Sequence, residues 1–101
     1  VRCTLSTRYW SEEGDVAKHE YGDGALALTF TSPIGEPIAT LSVNLIASVG
    51  RAPDGHIYVK NEGEHMGLVD SMEAAGVAIS TGTVVNYGPY GTTATLMKVL
   101  I

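Results

Sequence analysis

A single cysteine, Cys3, leaves no partner for an internal disulfide and no cysteine-based zinc site. One thiol is also what a reducing compartment leads one to expect. Bases are scarce, with 6 Lys and Arg against 11 Asp and Glu and a net charge of −5. The six, Arg2, Arg8, Lys18, Arg51, Lys60 and Lys98, are scattered along the chain. The clustered cations that neutralise phosphate are missing, so direct binding to DNA, RNA or an anionic membrane is not expected. An acidic surface suits a basic partner, or simply solubility. No apolar run approaches the ~20 residues that span a bilayer. No secretory leader is read either, and the expected location is cytoplasmic. There is no internal repeat, low-complexity tract or linker. With 45% hydrophobic residues in 101, the chain reads as a single domain over 1–101, with enough apolar surface for one modest core.

What the chain does have is alternation, strongest over residues 25–45. Leu26, Leu28 and Phe30 alternate with small or polar residues, and Ala39, Leu41, Val43 and Leu45 alternate with Thr40, Ser42 and Asn44. Both runs have the period of a strand with one buried face. Between them Pro33, Gly35 and Pro37 suit a reversal, which predicts a central β-hairpin. Upstream, 4–10 and 16–21 read as strands, joined by a turn at 11–15 with Gly14-Asp15 at its tip. Gly22-Asp23-Gly24 is a further turn. Downstream, Pro53-Asp54-Gly55 is turn chemistry and 56–60 a short strand. One helix is expected over 62–75, with Asn61 as its N-cap and Gly76 just past its end. Its apolar stripe is Leu68, Val69, Met72 and Ala75, while Gly63 and Gly67 weaken its first turns. Residues 77–80 read as a short strand and Thr81-Gly82 as a turn. Residues 83–87 and 92–100 then form a terminal hairpin about 88–91. The last strand is apolar on both faces, which fits a central position or a face that meets a partner. The predicted fold class is α+β: a mainly antiparallel sheet of five to seven strands with one helix packed on one face.

The stretch YGDGALALTF…GEPIATLSVNL, from Tyr21 onward, resembles a family of small proteins carried on plasmids, conjugative elements and phage-like elements. Gly35, Glu36, Pro37, Ala39, Thr40, Leu41, Val43, Asn44 and Leu45 match its GEPxATLxVNL motif, Asn61 its asparagine turn and Thr81-Gly82 its Thr-Gly turn. The family's Asp before the asparagine turn is Lys60 here, and its Tyr-Pro segment is Gly88-Pro89-Tyr90. The family has no established activity. What the resemblance implies is the company of accessory proteins of mobile elements, some of which counter host defences.

No residue set reads as catalytic. There is no Gly-x-Ser-x-Gly elbow, and Gly22-Asp23-Gly24 links strand to strand rather than opening a helix, so it is no phosphate loop. Cys3 has no neighbouring histidine. On the predicted helix Glu64 and His65 lack ligand partners one turn on, because Leu68 and Val69 hold those places, so neither a metal nor another cofactor is expected. The candidate contact residues are acidic and aromatic. Glu12, Glu13 and Asp15 crowd one predicted turn, and Glu62, Glu64, Asp70 and Glu73 one predicted helix. Each set reads either as solvated carboxylates or as a surface that imitates nucleic-acid phosphates to a basic protein. Glu36 with Thr40, Ser42 and Asn44 is either a polar sheet face or a contact surface. Tyr87 and Tyr90, in a Gly/Pro turn, are either exposed contacts of the kind that dominate interfaces or core residues whose hydroxyls reach water.

The leading expectation is a non-enzymatic binding protein of a mobile element or phage, a counter-defence inhibitor of anti-restriction or anti-CRISPR type. Its partner would be a host or element-encoded protein, such as a basic nucleic-acid-binding complex. The alternatives are a small-molecule-binding domain or small enzyme with a helix–sheet pocket, and a structural homo-oligomer using the outer face of 92–101.

Overall fold

Two antiparallel sheets and one short helix share a single core in the computed structural model, which describes residues 1–101. The first sheet is the meander β1 (Arg2–Ser6), β2 (Ser11–Glu20), β3 (Leu26–Thr31) and β4 (Pro37–Thr40), in that order. The second is ordered β5 (His56–Lys60), β7 (Thr92–Val99), β6 (Ala78–Tyr87). A 3-10 turn, Gly63–His65, and helix α1 (Leu68–Ala74) lie between β5 and β6. The fold is α+β, with seven strands and the helix against them.

The central hairpin forms as its alternation requires. Leu28 and Phe30 are fully buried, and the turn closes through Ser32 N–H to the Glu36 carbonyl at 2.7 Å and Gly35 N–H to the Ser32 carbonyl at 2.9 Å. The second strand is shorter than its 38–45 pattern. Beyond Thr40 the regular ladder ends: Leu41 N–H still reaches the Leu28 carbonyl of β3 at 2.8 Å, and Val43 then makes one bridge to the other sheet, with Tyr58, also antiparallel. That bridge joins the sheets edge to edge, so every neighbouring pair in β1-β2-β3-β4-β5-β7-β6 runs antiparallel.

Helix α1 closes this curved array. It packs against β1, β5 and β6 and buries Leu68, Val69 and Met72 among Leu5, Val16, Phe30, Ile57, Val59 and Met97. Complete burial of each such side chain contributes roughly 1.5–3 kcal/mol. The helix also satisfies one backbone donor from each outer strand. Ser71 Oγ accepts Ser6 N–H from β1 at 2.8 Å, and Glu73 Oε2 accepts Ser80 N–H from β6 at 2.9 Å.

Three boundaries differ from the sequence expectation, each for a physical reason. Residues 11–15 are strand, not turn; the reversal is at 7–10, where Thr7 Oγ1 accepts the N–H groups of Tyr9 and Trp10. Gly14 is glycine because a Cβ there would run into the Thr31 carbonyl oxygen. It marks a close approach of two backbones, not a turn. The helix starts at Leu68 because Gly67, at φ 92°, breaks the path from the 3-10 turn. The N-cap residue is therefore Gly67 and not Asn61, whose Oδ1 instead reaches the helix start from outside, accepting Gly67 N–H at 3.1 Å and Val69 N–H at 3.5 Å. Finally, 78–87 is one strand with an irregularity between Ser80 and Val84. Gly82, at φ 85°, bulges out there, and Ser80 Oγ and Thr81 Oγ1 accept the N–H groups of Gly82 and Thr83. The last strand, β7, is central in its sheet.

Candidate functional site

Antiparallel order sorts the connections to two ends. Loops 7–10, 32–36, 61–67 and 88–91 emerge together at one end, and 21–25, 41–55 and both termini at the other. The first is the hairpin end and the second the cleft end, named by their contents.

At the cleft end the polar residues of the 21–25 turn and the 41–55 segment bind each other. Ser42, buried, accepts Leu28 N–H on its Oγ at 3.0 Å and lies 2.9 Å from the Tyr21 hydroxyl, which also donates to the Ser42 carbonyl at 3.1 Å. Asn44 Nδ2 donates to Asp23 Oδ2 at 2.8 Å, and Ala25 N–H donates to Asp23 Oδ1 at 2.9 Å. These two donors hold the Asp23 carboxyl below its usual range. Arg51 reaches the Asp23 carbonyl at 3.1 Å. Ser42 is thus an internal tie, and Asn44, though exposed, lies at the opposite end of the fold from Glu36, so the two form no contact face with it. A cleft of about 100 Å³ remains here, with Tyr21, Leu26, Asn44, Arg51, His56 and Tyr58 among its walls. The helix–sheet interface, where the sequence allowed for a pocket, is filled by Leu68, Met72, Val59 and Met97.

The hairpin end differs. Tyr90 is 93% exposed in the 88–91 turn, Ile34 82% in the 32–36 turn and Tyr9 63% in the 7–10 turn. Arg8 N–H to the Met66 carbonyl, at 2.7 Å, ties the 7–10 loop to the 61–67 loop. Glu62 Oε1 ties that loop to β7 by accepting the Thr93 hydroxyl at 2.6 Å and Thr93 N–H at 2.7 Å. Those bonds hold the Glu62 carboxyl below its usual range.

The ten contact residues expected from sequence divide accordingly. Glu12 and Glu13 at the start of β2, Glu36, Glu62, Glu64, Tyr87 and Tyr90 belong to the hairpin end. Asp15 sits further along β2, and Asp70 and Glu73 sit on α1, so they form no single patch with the others. The carboxylates also differ in what they touch. Arg2 bridges Asp15 at 3.0 Å and Glu13 at 3.5 Å; its hydrogen bond holds the Asp15 carboxyl below the usual range and raises the guanidinium in turn. Glu62 and Glu73 accept backbone N–H groups. Glu12, Glu36, Glu64 and Asp70 have no side-chain partner and are exposed. Tyr87 is half-buried, and burial, then the nearby Glu62 charge, pushes its hydroxyl pKa up. The hairpin end then presents five acids, Glu12, Glu13, Glu36, Glu62 and Glu64, against two bases, Arg8 and Lys60.

Sequence reasoning counted Tyr9 among the contact-type aromatics but placed it in a strand over 4–10 that ends at Ser6, and it passed over Ile34. Ile34 had a local signal, its place between Pro33 and Gly35 in a turn. No three of His, Cys, Asp and Glu converge in a way that would hold a metal ion, and no helix is long and apolar enough to cross a membrane. Cys3 is half-buried, and burial raises its thiol pKa. Set beside other proteins, this chain is matched by no family model, no curated protein and no solved structure.

Proposed function

We propose that the protein is a non-enzymatic binding protein whose contact surface is the hairpin end. One observation carries this reading: the strand order brings the exposed side chains of Tyr9, Ile34 and Tyr90 to the end that also holds Glu12, Glu36 and Glu64. Large exposed side chains within a polar surround are the usual composition of a protein-binding hot spot. The acidic surround selects a basic partner and steers its approach. The partner class is a nucleic-acid-binding protein, whose own cationic surface is built to meet phosphate. The resemblance of residues 21–90 to mobile-element proteins makes a nuclease complex of a host defence system the partner to try first.

The test compares capture from host lysate by the tagged protein and by a variant carrying Glu12→Gln, Glu36→Gln and Glu64→Gln. A basic protein held by the first at low salt, released at high salt and not held by the second supports the reading. Equal retention by both removes the acidic surface from it. Tyr90→Ala addresses the aromatic part: loss of a hot-spot aromatic weakens binding by about 2 kcal/mol, roughly thirtyfold.

A further inference from the structure

Bond directions along β7 identify an edge that nothing in the fold covers. In an antiparallel ladder, residues alternate between those that exchange bonds with one neighbour and those that turn away from it. On β7, Thr93 N–H goes to Glu62 and Val99 N–H to the Gly55 carbonyl at 2.8 Å, both on the β5 side. Leu100 N–H goes the other way, to the Val77 carbonyl of the β6 side, at 2.9 Å. Odd-numbered residues of β7 therefore face β5, and even-numbered ones face β6. Val85, opposite Ala94, and Tyr87, opposite Thr92, bond to β7. Val84, opposite Thr95, and Asn86, opposite Thr93, turn their N–H and C=O groups outward. The same parity turns Ser80 N–H outward, and there Glu73 takes it. Beyond the bulge no residue does this for Val84 and Asn86, both of which are exposed.

The chain around this edge is unusual for this protein. From Gly76 to Met97 there is no Asp, Glu, Lys, Arg or His, although 17% of the whole chain is charged. Long edge strands in monomers are ordinarily guarded by charge, proline or a bulge. On β6 the bulge and Glu73 guard the first half only, and Val84, 57% exposed, faces solvent beside the open groups.

We propose that residues 84–86 pair with the same residues of a second copy, antiparallel about a two-fold axis at Val85. Val84 then exchanges bonds with Asn86 of the second copy, and Asn86 with its Val84, joining two three-stranded sheets into one of six strands. The open groups have ladder spacing, which suits an extended backbone, and two features favour a second copy over another strand. The two-fold arrangement satisfies all of the open groups with one short segment. Two molecules of net charge −5 repel except where their surfaces carry no charge, and this hairpin is that surface. The pairing is independent of the hairpin-end reading, since it uses none of the acidic residues.

Sedimentation across a concentration series tests it. The wild type is expected at the mass of two copies, and Val84→Lys, which sets two like charges diagonally across the seam, at the mass of one. Should that variant misfold, Asn86→Lys replaces it. A wild type that stays at the mass of one copy at high concentration overturns the proposal, as does a dimer that both lysine variants leave intact. The register has its own check. Val85 would face itself in a non-hydrogen-bonded pair with Cα atoms about 4.5 Å apart, within disulfide reach. Val85→Cys in a Cys3→Ser background is therefore expected to link two copies under mild oxidation, and its failure to do so overturns the two-fold axis at Val85.

Discussion

The strands of the first sheet carry Arg2, Glu12, Glu13, Asp15, Lys18 and Glu20, whereas the β6–β7 hairpin carries one charge, Lys98. Both sheets contribute to the same core, so the difference lies in how each manages its outside. In the first sheet Arg2 sits on the outer strand and pairs across it with Asp15 and Glu13. In the second, hydroxyls do this work: Thr81 donates to the Leu96 carbonyl at 2.9 Å and Thr93 to Glu62. Charge on an edge repels a further strand, and a hydroxyl does not. The comparison teaches that a shared interior need not impose a shared surface, and that the two sheets are suited to different neighbours.

The largest effects test how far the core is common property. Phe30, of the first sheet, belongs to the cluster that reaches α1 and both sheets and stacks on Trp10 with ring centres 6.2 Å apart. Leu45 belongs to a small cluster with Tyr58 and Ala94 on the far face of the second sheet. Phe30→Ala is expected to cost about 3–5 kcal/mol and Leu45→Ala about 2 kcal/mol by urea unfolding. Equal losses would mean that the small cluster is as much a part of the core as the large one.

Two glycines sharpen the comparison next. Gly14→Ala pushes a methyl into the Thr31 carbonyl, which the β2–β3 ladder holds in place, at about 1–3 kcal/mol. Gly82→Ala meets no atom but must keep a left-handed backbone, at about 1 kcal/mol. If the second loss exceeded the first in thermal melts, the tight approach in the first sheet would be ruled out. Smaller still are the ties from the helix. Ser71→Ala leaves the Ser6 N–H of β1 without its acceptor, and Glu73→Ala does the same to the Ser80 N–H of β6; each is expected to lower stability by about 1 kcal/mol, and similarly for the two sheets.

The smallest effects concern pH. Asp23 at the first sheet's turn and Glu62 beside the second both have depressed pKa values, Asp23 through Asn44 and Glu62 through Thr93. A group whose folded pKa lies below its unfolded one stabilises the fold above the unfolded value. That stability fades as pH falls through about 4 and on through the folded pKa. Carboxyl titrations by NMR should place both midpoints below the ordinary range. Asn44→Ala should bring Asp23 back toward it and leave Glu62 in place; movement of both would mean the two ends are coupled.

Much of the fold was legible because the alternation is local. The strand at 56–60 was read from Ile57 and Val59 alone, and Gly76 ends the helix as its backbone freedom suggests. Asn61 was legible as a tie for helix amides but not in its position, since Gly67 is the N-cap residue and Asn61 reaches it across the loop. Gly14 was not. A missing Cβ serves a turn and a tight packing contact equally, and only Thr31, distant in sequence, decides between them. The candidate site was legible as a composition and not as an arrangement. The acids stand in the sequence, but Glu62 and Glu73 are engaged by Thr93 and Ser80, partners that folding supplies. That Glu12, Glu36 and Glu64 share an end with Tyr90 depends on strand order, which alternation does not encode.

The double attachment of α1 has a kinetic consequence. Ser6 and Ser80 amides lie on outer strands of different sheets, yet both close onto side chains of one short helix. Each amide is slowed in exchange by its bond to the docked helix, and one undocking event releases both. Their exchange rates should therefore rise together under conditions that loosen the helix, ahead of amides inside the ladders. The two outer strands would then open as one cooperative unit although they never touch, with the helix as the clasp that sets its lifetime.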